Sequence, residues 1–128
     1  MNTLRILACV TGQKSCERLI VEGAKMADAM NAELSVLHVA AAGTSLLGYP
    51  LEGDAMEYLY KISSEHGADM TMIRSDDVIE AIARFAIKNE INIILMGAAR
   101  KKSGRNIALE LQVRLPGVEF QTIYADED

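Results

Sequence analysis

Ile91-Asn92-Ile93-Ile94-Leu95-Met96-Gly97 is an apolar run that stops at a glycine, and Ala98-Ala99-Arg100-Lys101-Lys102-Ser103-Gly104-Arg105 follows it with four cations. A strand buried on both faces of a sheet reads as a continuous apolar stretch, not as alternation. The loop leaving its carboxyl end, and the helix opening beyond, offer free backbone N–H groups to an anion. In an open α/β sheet that junction is where a ligand usually sits. Run and cations together predict a buried parallel strand that opens onto a loop suited to a small anion or nucleotide.

Working outward, residues 4–10 read as a first strand dense in apolar side chains, followed by a polar loop with Gly12 and a helix cap at Ser15. Cys16, Leu19, Ile20, Gly23, Ala24, Ala27 and Met30 recur at three- and four-residue spacing and paint one stripe down a helix ending near Asn31. Gly23 within that stripe is expected to let helix and sheet approach closely. Residues 34–39 form a second strand, and residues 40–53, with three glycines and Pro50, are the longest irregular stretch and the expected mobile loop.

Met56, Leu59, Tyr60 and Ile62 mark a second helix stopping before Gly67, and residues 70–73 a third strand. Asp76 or Asp77 then caps a third helix whose stripe is Val78, Ile79, Ile82, Ala83 and Ala86, ending near Asn89. The decisive apolar run comes next. A fourth helix is expected over residues 105–115, Pro116-Gly117 stops it, and residues 118–124 form a last strand. Residues 1–124 make one domain and residues 125–128 an acidic tail expected to lack order, with no repeat or linker.

Strands alternating with helices call for parallel pairing and right-handed crossovers. The expected architecture is a three-layer α/β sandwich around a five-stranded parallel sheet of order 3-2-1-4-5. Its switch point falls between strands one and four, so Thr11-Gly12 and Gly97 face each other across one crevice. The pattern alone leaves the order 2-1-3-4-5 open, but the chemistry that order carries is missing. A phosphoacceptor receiver needs an acidic pair after strand one and an aspartate after strand three, where this chain has Thr11-Gly12 and Arg74-Ser75. A flavin site wants aromatic cover, and the chain has no Trp and only six aromatics. Gly12-Gln13-Lys14-Ser15 resembles the tail of a phosphate-binding P-loop but lacks its upstream glycine.

With 128 residues, half of them hydrophobic, the chain fits a single full core. Net charge is −5, yet four of the thirteen basic residues fall between Gly97 and Asn106 among no acids, leaving nine against eighteen elsewhere. Neutralising many phosphates takes a broad basic face, so nucleic acid is not an expected partner. One small anion suits the pattern, and a solvated basic loop is the plain alternative. No stretch approaches the roughly 20 apolar residues of a bilayer span, and Met1-Asn2-Thr3-Leu4-Arg5 is unlike a signal peptide, so the expectation is cytoplasmic, without a membrane partner. Cys9 and Cys16, seven apart, match neither a metal site nor a redox dithiol and are expected as buried, unpaired thiols.

The order and lengths of these elements resemble the universal stress protein domain across the whole chain. Matching stretches are Arg5-Ile6-Leu7-Ala8-Cys9-Val10-Thr11-Gly12, Leu37-His38-Val39, and Asp76 through Arg100. Leu115-Pro116-Gly117-Val118-Glu119-Phe120 looks more like the stress-protein module of bacterial potassium-sensing histidine kinases, although no kinase part accompanies it and a stand-alone copy is expected. In nucleotide-binding members an aspartate follows strand one, and a Gly-x-x-Gly, nine residues and Gly-Ser or Gly-Thr follow strand four. Here Thr11 occupies the aspartate position, Gly97 keeps the first glycine, Arg100 stands at the second, and Gly104 is followed by Arg105. A phosphate loop needs glycine so that backbone N–H groups reach the oxygens, and arginine substitutes by charge-assisted pairing. The resemblance therefore implies a degenerate pocket of Thr11, Gly12, Val39, Gly97, Arg100, Lys101 and Gly104, with ATP, AMP or a cyclic dinucleotide as its ligand.

Three readings follow. The first is a non-catalytic regulatory module that senses a nucleotide or other anion and works through a signalling protein partner. A second is an interaction module whose pocket has decayed. The third, a nucleotide hydrolase, lacks a nucleophile beside a base, paired carboxylates and a metal-ligand cluster. A homodimer is expected through residues 119–124, because a terminal strand leaves unpaired backbone groups, with Phe120 and Tyr124 on one face and Ile123 on the other. His38 is read as a hydrogen-bonded structural histidine, His66 as complementing a helix end, Cys16 as packed against the sheet, and the seven methionines as core filler.

Overall fold

The computed structural model describes residues 3–10, 16–40, 52–98 and 107–124. Strands β1 (Arg5–Val10), β2 (Glu33–Ala40), β3 (Asp69–Arg74), β4 (Ile93–Ala98) and β5 (Glu119–Tyr124) alternate with helices α1 (Cys16–Met30), α2 (Glu52–Glu65), α3 (Val78–Lys88) and α4 (Ile107–Arg114). All four strand pairings are parallel, and the order is β3-β2-β1-β4-β5, as expected. Strands begin and end within a residue or two of their sequence-based limits, since the apolar runs that define them are also what the sheet buries.

The central strand β1 explains the layering. Its side chains alternate between two cores, and Ile6 through Val10 are all buried. Ile6, Ala8 and Val10 pack with Leu19, Ile20 and Ala27 of α1 and Leu59 of α2. Leu7 and Cys9 pack on the opposite face with Ile79, Ile82, Ala83 and Ala86 of α3 and Leu111 of α4. Burying each such aliphatic side chain stabilises the fold by about 1.5–3 kcal/mol, and cutting one back to alanine costs about 2–5 kcal/mol. Cys9 is a filler within the second core, where burial pushes its thiol up to about 12 and leaves it inert.

Gly23 does what its place in the stripe predicts. A Cβ there would lie 2.9 Å from Leu34 Cδ1 and 3.3 Å from Leu95 Cδ1, so its missing side chain lets α1 settle onto the sheet. Two other stripe assignments need correction. Tyr60 is 64% exposed, and among the described side chains of α2 those facing the core are Leu59, half-buried Tyr58 and Ile62, and Ser63, which is wholly buried. Met30, at the last turn of α1, is 40% exposed because the helix has already passed the edge of the core there.

Three helices stop by one device. After α1, α2 and α3 the backbone turns left-handed at Asn31 (φ 54°), Gly67 (φ 71°) and Glu90 (φ 55°). The next N–H in each case reaches five residues back: Ala32 to the Ala27 carbonyl at 2.8 Å, Ala68 to Ser63 at 2.9 Å and Ile91 to Ala86 at 2.9 Å. This six-residue closure satisfies carbonyls that the helix end would orphan. At the other end of α3, Asp77 and not Asp76 is the cap: its Oδ1 accepts the Glu80 N–H at 3.0 Å. Glu80 in turn accepts from Arg84 and from Arg114 of α4, an exposed link between the two helices on that face.

Candidate functional site

Because β1 and β4 are neighbouring parallel strands, their carboxyl ends reach the same rim of the sheet. The register pairs Cys9 with Met96, so the next residues, Val10 and Gly97, leave the pairing side by side. Helices α1 and α4 each follow one of these strands and start on this rim, bringing the positive ends of their dipoles toward it. β2 turns out of the sheet on the other side of β1, with Val10 beside His38 in register. The rim is thus a topological switch point, where Val10, His38, Val39 and Gly97 stand at the ends of neighbouring strands.

Of the candidate pocket residues, Val39 and Gly97 fall on this rim together. Val39 is half-buried against the α3 side of the core, while Gly97 is half-buried with no side chain to block approach to its backbone. Thr11, Gly12, Arg100, Lys101 and Gly104 lie outside the described residues, as do Lys14 and the segments 41–51 and 99–106.

His38 joins the ends of β2 and β1 at this rim. It is 3% exposed, and its Nδ1 lies 3.0 Å from the Val10 carbonyl oxygen. A carbonyl only accepts, so Nδ1 carries the proton and the neutral ring leaves Nε2 as an acceptor. Burial holds this imidazole below its usual 6.5; the Val10 bond opposes that shift, and the positive charge of Arg74 reinforces it. The structural reading of His38 is borne out, but its partner, the last carbonyl of β1, was not legible from spacing. Arg74, closing β3 on the same rim, is a further cation that the sequence argument did not include.

The start of α3 is closed to an anion by its own residues. Asp77 occupies the Glu80 amide, while Ser75 Oγ accepts the Asp77 N–H at 3.1 Å and donates to the Asp77 carbonyl at 3.2 Å. A carboxylate there repels a second negative group. Among the described residues no group of three or more His, Cys, Asp or Glu side chains is placed to hold a metal ion. No helix among them is long and apolar enough to cross a membrane.

Comparison with known proteins places this geometry in context. The model of the Universal stress protein family matches residues 2–110. No curated protein matches the chain. Among solved structures, a protein of the universal stress protein family from Burkholderia pseudomallei superposes with a TM-score of 0.66 at 18% identity, covering 94% of this chain and 96% of that one. A universal stress protein in complex with cAMP gives 0.73 at 10% identity, covering 98% and 100%. The Archaeoglobus fulgidus universal stress protein in complex with dAMP gives 0.59 at 14% identity, covering 96% and 97%. At such identities the likeness carries the fold and not the ligand.

Proposed function

This chain belongs to the universal stress protein family, and from that premise we propose that it is a non-catalytic regulatory module that binds an adenine nucleotide, ATP or AMP, or a cyclic dinucleotide, at the β1/β4 rim. The observation that carries the reading is the adjacency of Val10 and Gly97 at the switch point of a parallel sheet. Supporting it are the cations at Arg100 and Lys101 in the segment after β4 and the structures of relatives in complex with cAMP and dAMP. Thr11, Gly12, Val39, Gly97 and Gly104 supply backbone or wall, and Arg100 and Lys101 supply charge where the family pattern has glycine. Neither loop sequence sets a nucleophile beside a base, which is why the module is read as binding without turnover. Cyclic dinucleotides belong with the adenine nucleotides because residues 115–120 resemble the stress-protein module of sensor kinases.

The module acts in the cytoplasm as a homodimer and passes its state to a signalling protein, with no part for nucleic acid or membrane. β5 ends the sheet order, so one edge of it has no partner strand among the described residues. Phe120 and Ile123 pack toward opposite cores, so pairing of two β5 strands would extend both layers. Thermal shift and calorimetry with ATP, AMP, cAMP and cyclic di-AMP test the ligand. Saturable binding to at least one, with no phosphate release above a Thr11→Ala background, is expected. Silence toward all of them would remove the sensing role and leave the interaction module, which the loss of glycine at Arg100 favours. Light scattering that finds a monomer at micromolar concentration would remove the dimer.

A further inference from the structure

We draw no further inference here: the strongest candidate, the exposed aliphatic patch that Leu109 and Val113 form one turn apart on α4, carries nothing because nothing among the described residues shows what covers it.

Discussion

His38 Nδ1 and the carbonyl oxygen of Val10 are 3.0 Å apart, a side-chain link added to the parallel register that already pairs these two residues at the ends of β1 and β2. The bond fixes the tautomer. The ring's titration depends on the fold, because burial lowers its pKa below the ordinary 6.5 while the Val10 bond opposes that shift. Between the folded value and 6.5 the unfolded chain binds more protons than the folded one. Stability from this group is therefore complete above about pH 6.5 and is lost as pH falls through the folded value. Melting temperature followed downward from neutral pH should drop more steeply for the wild type than for His38→Asn, which does not titrate. Parallel curves would contradict this, and nitrogen shifts showing the proton on Nε2 would contradict the tautomer.

Gly23 is occupied space rather than a flexible joint. A Cβ would sit 2.9 Å from Leu34 Cδ1, and a branched side chain has nowhere to go but into the first core. Gly23→Val is expected to destabilise by about 1–3 kcal/mol through overpacking, read as a lower urea midpoint at unchanged slope. Gly23→Ala sets the same clash against a helix-propensity gain of about 1 kcal/mol and should fall between the two.

Ser63, on the inner face of α2, carries a buried hydroxyl without a hydrogen-bond partner among the described residues. Removing an unsatisfied polar group from a core stabilises, and alanine is the better helix former. Ser63→Ala is expected to raise stability by about 1 kcal/mol, read in urea unfolding. A loss of similar size would mean that the hydroxyl holds a bound water.

Glu90 adopts the left-handed conformation that Gly67 and Asn31 adopt after α2 and α1, at a position where a glutamate side chain is strained. Glu90 is exposed and its side chain is not needed for the closure, which runs from the Ile91 amide to the Ala86 carbonyl. Glu90→Gly should therefore gain about 0.5–1 kcal/mol in thermal unfolding, and a loss would show that the side chain compensates locally.

Much of the architecture was legible because burial and sequence pattern are the same fact seen twice. Ile93 to Met96 had to be a strand covered on both faces, and the α1 and α3 stripes gave the phase of each helix directly. α2 was harder: Ser63 faces the core while Tyr60 faces water, so polarity pointed the wrong way at two positions. Strand order was not fixed by periodicity, since adjacency of β1 and β4 is a contact between residues far apart in the chain. The absence of receiver and flavin chemistry at Thr11-Gly12 and Arg74-Ser75 is what weighed against 2-1-3-4-5. Glycine spacing flagged Gly97, but the His38 bond to Val10 depends on register between β1 and β2, and no local signal encodes that. Glu90 escaped notice for a related reason, as its strain arises from the turn it closes and not from its neighbours in sequence.

The central claim is that the ends of β1 and β4 form one receptive rim. Titrating ATP into the isotopically labelled protein and following backbone amides tests it most directly. The account predicts saturable shifts concentrated at Val10, Val39 and Gly97, with β5 residues Glu119 to Thr122 unmoved. Shifts spread over β5 or the helix surfaces, or none at the rim at saturating ATP, would contradict it.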